Sequence, residues 1–125
     1  MVNVSINNVK FAVVLFIIDL VWLIGNKNNH KKQFESVQKS ELRLDPVAGL
    51  LFYLVASVGY SEFIEKNTTS RQEAFKRGLL FGFLLYSSFD VTCKAVFVDY
   101  KWSYAVSDIL WGSFAFGLAS AIVKN

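Results

Sequence analysis

The chain is poor in the residues that build metal centres and cross-links. Its 125 residues include one cysteine, Cys93, and one histidine, His30. One thiol cannot close an internal disulfide, so nothing argues for an oxidising compartment. His30 stands alone in a basic stretch and reads as a solvated side chain, because a metal needs several ligands at defined spacing. Cys93 has no histidine near it in sequence and reads as a small apolar filler rather than a nucleophile. There is no glycine-rich phosphate loop, no H-E-x-x-H and no G-x-S-x-G. Enzymatic activity, a cofactor and a bound metal are therefore not expected.

Charge is also scarce. Charged residues make up 18% of the chain and hydrophobic ones 54%, where a soluble domain carries about 25% charged residues. Most of the charge sits in short stretches between apolar runs. That segregation points to an integral, multi-pass membrane protein in a lipid bilayer. The net charge of +3 comes from basic loops without interleaved aromatics, so it reads as membrane flanking and not as a nucleic-acid surface. The first apolar run ends at Trp22-Leu23-Ile24-Gly25-Asn26 without an A-x-A-like site, so a cleaved leader is not expected.

Four spans are expected, at about residues 9–25, 47–64, 78–98 and 103–123. They form a single membrane domain over residues 1–125, an all-α four-helix transmembrane bundle. Between spans one and two, Phe34, Val37 and Leu42 recur at roughly helical spacing, which predicts a short amphipathic helix. Asp45-Pro46 is a helix start, a capping acid followed by proline at the first helical position. Residues 67–70 offer a cap before Arg71. Gly78 and Gly82 share one face of span three and permit close helix contact.

Three acids lie inside the apolar runs: Asp19, Asp90 and Asp108. Two of them open a D-x-x-W motif, Asp19 with Trp22 and Asp108 with Trp111. Spans joined by short connectors alternate direction. Side B holds the 26–46 and 99–102 connectors; side A holds both termini and the 65–77 turn. Counted along the helices, all three acids fall about 4–8 Å from the midplane, towards side B. Lys94 follows Asp90 by one turn on the same face and is the expected ion-pair partner. An ionised carboxylate at that depth costs roughly 2.5–3.5 kcal/mol or more. The acids should therefore face inward and be paired, protonated or cation-bound. Candidate donors are Trp22, Trp111, Tyr86, Ser87, Thr92 and Tyr104. Two readings follow: a proton or monovalent-cation site in a transporter or channel-like protein, and a set of structural hydrogen bonds in a scaffold or binding module.

The opening Ile18-Asp19-Leu20-Val21-Trp22-Leu23, the second-span LLFYLVASVGY, the third-span GLLFGFLLYSSFDVT and the last-span SDILWGSFAFGLAS resemble the four-span membrane family catalogued as domain of unknown function 2177. The resemblance covers nearly the whole chain and implies a small integral membrane protein, with no activity attached. One position departs from the family pattern. After Phe-Asp-Val-Thr, an asparagine and an apolar residue are expected, and this chain has Cys93-Lys94. A lysine there would partly neutralise the acid cluster.

Lysines and arginines near the spans divide evenly, six on each side, so the positive-inside rule assigns no orientation. That balance leaves a homo-oligomer open as an assembly.

Overall fold

The structure, a computed structural model, describes residues 5–124. Five α-helices account for most of the chain: α1 (Ile6–Gly25), α2 (Lys27–Gln38), α3 (Pro46–Gly59), α4 (Arg71–Val96) and α5 (Trp102–Val123). There is no strand among the described residues. A π-helical turn (Tyr60–Ile64) and a 3₁₀ turn (Glu65–Asn67) extend α3. Four helical segments are long and apolar enough to cross a membrane: Ile6–Gly25, Pro46–Asn67, Arg71–Val96 and Trp102–Val123. The short α2 lies between the first two, as expected.

Helix starts follow local chemistry. The Asp45 carboxylate accepts from the Val47 and Ala48 amides at 3.0 and 3.2 Å, with Pro46 at the first position. Ser70 accepts from the Glu73 amide, and Glu73 reaches back to the Thr69 amide and hydroxyl. That cap starts α4 at Arg71, seven residues before the apolar run. Hydropathy marks the membrane, whereas capping marks the helix.

Burial selects one face of each helix. On α1 the buried residues are Asn8, Phe11, Leu15 and Asp19, spaced three or four apart. On α4, Ala74, Gly78, Gly82 and Asp90 are buried on one row, with Tyr86 between them. The facing row of α5 runs antiparallel through Ser120, Phe116, Gly112 and Asp108. This α4–α5 seam is the closest in the molecule. A Cβ on Gly82 would stand 2.5 Å from the Gly112 carbonyl oxygen, and one on Gly78 2.6 Å from that of Phe116. Ser113 Oγ donates across the seam to the Leu79 carbonyl at 2.7 Å.

Helix α1 packs against both α5 and α3. Phe11 stacks on the fully buried Tyr60 ring, with centroids 4.5 Å apart. Asn8 Nδ2 donates to the Ser57 carbonyl at 2.9 Å and lies 3.2 Å from Ser61 Oγ, beside the point where α3 widens into its π turn. The outer faces carry Val13, Leu50, Val55, Leu84 and Leu110, all exposed. In a bilayer these side chains meet acyl chains instead of water.

Candidate functional site

The two D-x-x-W motifs lie on α1 and α5, which run antiparallel, and they are used reciprocally. Aspartate and tryptophan three residues apart share one helix face. Trp111 Nε1 donates to Asp19 Oδ1 at 3.1 Å. Trp22, the tryptophan of the other motif, turns its indole towards the Asp108 carboxyl without closing a hydrogen bond. The two indoles stack, with centroids 5.2 Å apart and planes at 10°. Each motif thus aims its tryptophan at the acid of the other.

The three acids sit in different surroundings. Asp19 is 7% exposed and has both oxygens engaged: Oδ1 by Trp111, and Oδ2 by the Tyr53 hydroxyl at 2.8 Å. Asp90 is fully buried. Its Oδ1 accepts from the Tyr100 hydroxyl. Its Oδ2 is buried and has no donor among the described residues. What faces it is the half-buried Asp108 carboxyl. Asp90 and Asp108 therefore meet as a carboxyl pair, with Asp19 close to the pair on its α1 flank. This arrangement can hold one proton, or one small cation, between two carboxyls.

Of the six expected donors, Trp111 alone bonds an acid. Tyr86 packs its ring on the Gly112 backbone, near all three carboxyls, but bonds none of them. Ser87 is half-buried and Thr92 exposed, and neither bonds an acid. Tyr104 donates elsewhere. The expected Asp90–Lys94 ion pair does not form: the Lys94 ammonium lies 5.8 Å from the centre of the Trp102 ring. The physical reason is that Tyr100 supplies Asp90 with a donor without burying a second charge, and a lysine stem is long enough to carry its head out towards the interface.

The sequence reading missed Tyr53 and Tyr100. Depth could have found Tyr53, since it and Asp19 both lie about two turns from the side B ends of their helices. Tyr100 had no such signal, because it sits in the α4–α5 connector and folds back to become one of the most deeply buried side chains. Burial first, and then the Asp90 carboxylate, push its hydroxyl well above the ordinary tyrosine range, so it stays a proton donor.

His30 also departs from expectation, being buried and not solvated. Its Nδ1 lies 2.6 Å from the Tyr104 hydroxyl and its Nε2 3.4 Å from the Trp22 carbonyl. Burial holds the imidazole below its ordinary value, partly opposed by the Trp22 contact. A carbonyl can only accept, so the neutral ring donates from Nε2 and Nδ1 takes the Tyr104 proton. Gln33 donates to the Asp99 carbonyl at 3.0 Å and accepts from the Lys101 amide at 3.1 Å. Phe34 packs edge-on to Tyr100 and Tyr104. These contacts fold α2 back over the side B end. Leu42, expected on its apolar stripe, lies beyond the helix and is exposed.

Between α2 and the bundle is a cavity of about 330 Å³, whose lining includes Trp22, His30, Tyr104 and Ser107. It opens one helical turn from Asp108.

No curated protein and no solved structure matches the chain. The family described as "Predicted membrane protein (DUF2177)" matches residues 4–124. With four membrane-capable helices and a family match over nearly its full length, this chain belongs to that family of multi-pass integral membrane proteins.

Proposed function

We propose that the protein handles protons across or within the membrane, as a small transporter or channel-like protein whose working groups are Asp90 and Asp108. The observation that supports this reading is the buried Asp90 Oδ2, which has no donor and faces the Asp108 carboxyl. Two ionised carboxylates in that position would repel each other, and each would carry the cost of a bare charge in hydrocarbon. One proton held between them relieves both penalties. A proton shared between two carboxyls can be passed on and replaced, which suits proton uptake and release. Its route to side B is the polar cavity lined by Trp22, Tyr104 and Ser107. A monovalent cation could take the same place between the carboxyls. Lys94, drawn onto Trp102, acts on the pair only as a charge near the side B rim.

Asp19 favours the second reading, a scaffold or binding module with structural acids, because both its oxygens are engaged. The two readings apply to different acids and can be separated. The test is proton and monovalent-cation flux in liposomes carrying the purified chain. Flux should vanish in Asp90→Asn and Asp108→Asn and persist in Asp19→Asn. A well-folded wild-type protein with no flux above empty liposomes would end the transport reading and favour the scaffold.

A further inference from the structure

We infer that the side B cavity is a binding site for a phosphate-bearing anion. This does not rest on the role of the carboxyl pair.

The argument begins with sign. Two lysines line the cavity, Lys32 from α2 and Lys101 from the α4–α5 connector, and no aspartate or glutamate does. Neither lysine is in an ion pair; the pairs formed among the described residues are Lys39–Asp99 and Lys66–Glu62. Asp99, the acid next in sequence to this region, is held below the usual carboxylate range by its hydrogen bond and charge contact with Lys39, so it is already matched outside the cavity. His30 has both ring nitrogens engaged, so the lysines carry the charge of the lining itself, with the Asp108 carboxyl one helical turn beneath it.

The convergence is built and not incidental. Gln33 follows Lys32 on α2, and its side chain grips the Lys101 amide and the Asp99 carbonyl. That bridge holds the two lysine-bearing segments together. Asn26, Asn29 and Ser103 add amide and hydroxyl groups to the wall. Lysine ammonium and neutral donors form a phosphate-recognition set.

Size and place narrow the ligand further. The volume of about 330 Å³ falls at the small end of ligand sites and exceeds what a bare phosphate needs. The cavity lies where α1 ends and α5 begins, level with the exposed Trp102 and flanked by the exposed Ile24 and Val106. Tryptophan at a helix end marks the headgroup level. The phosphate can therefore come from a phospholipid headgroup or from a soluble phosphate compound.

The experiment places the full chain in phosphatidylcholine nanodiscs and titrates short-chain phosphatidic acid, reading tryptophan fluorescence because Trp22 lines the cavity. The cavity variant is Lys32→Gln with Lys101→Gln; the control, at the other end, is Lys66→Gln with Lys76→Gln. Neither cavity lysine uses its ammonium in a hydrogen bond within the described residues, and the control gives up only the exposed Lys66–Glu62 pair, which contributes little at the surface, so both variants should unfold near the parent temperature. Saturable binding should weaken about tenfold or more in the cavity variant, at roughly 1 kcal/mol per lysine, and hold in the control and in Asp90→Asn. Inorganic phosphate that competes would show that phosphate alone suffices; binding that phosphate cannot displace would assign the site to a lipid headgroup. Equal weakening in the control pair, or none in the cavity pair, would overturn the assignment.

Discussion

Towards side A, α4 and α5 touch backbone to backbone; towards side B, the same two rows hold Asp90 against Asp108. The first region is dry and made of small residues: Ala74, Gly78 and Gly82 against Gly112, Phe116 and Ser120. The second is polar and ringed by aromatics. The contrast teaches that the glycine seam sets the spacing of the acid site. Lipid tails are as apolar as leucine side chains, so helices in a membrane gain most from close van der Waals approach. Once glycines at four-residue intervals draw the backbones together, Asp90, two turns beyond Gly82 on the same row, must meet the opposing row at Asp108.

The largest effect should come from breaking the seam. In Gly82→Ala the new Cβ would press on the Gly112 carbonyl, a backbone atom that cannot swing aside. We expect a loss of about 3 kcal/mol, the upper end for overpacking, read by thermal unfolding in detergent. The acid site should be lost with it, since the seam spaces the pair.

Next comes the difference between a saturated and an unsaturated acid. Asp19→Ala strands the Tyr53 hydroxyl and the Trp111 indole and should cost about 1–3 kcal/mol. Asp90→Asn should change stability by no more than about 1 kcal/mol, because an amide at Asp90 can donate to Asp108 without a shared proton. If Asp90→Asn cost as much as Asp19→Ala, the pair would be structural glue like Asp19, and the comparison would fail.

A pH effect should appear at α2. His30 is held below its ordinary value of 6.5, so the folded chain binds its proton less readily than the unfolded chain. The docking it contributes is fully present above that value and declines as pH falls through the folded value. Amide-exchange protection of α2 should drop as pH falls below 6.5, and His30→Gln should remove the drop.

The smallest effect belongs to Trp22→Phe. Its indole Nε1 is buried without a partner, so its removal forfeits no hydrogen bond. An aromatic ring remains to stack on Trp111, and the cost should stay below about 1 kcal/mol. A larger loss would mean that Trp22 holds Asp108 as firmly as Trp111 holds Asp19.

Much of the site was legible before folding was considered. Alternating spans predict that Asp19, Asp90 and Asp108 fall towards one end of the bundle, where Asp108 meets Asp90 with Asp19 near, and the paired D-x-x-W motifs mark the faces that meet. The Asp90–Lys94 pair was misread, because i and i+4 proximity ignores competitors from outside the helix, and Tyr100 is one. His30 was misread, because a basic polar stretch suggests solvent until α2 folds over the bundle.

The sequence by itself determined the membrane class, the four long apolar helices and the short α2. These depend on hydropathy, caps and counting along a helix, all of which are local. Tertiary structure alone decided which acid is saturated, which two face each other and which lysines line the side B cavity. Those outcomes depend on groups far apart in the chain: Tyr53 and Trp111 reach Asp19, and Gln33 clasps Lys101. No local pattern encodes the rotation of one helix against another; close packing along the glycine seam does.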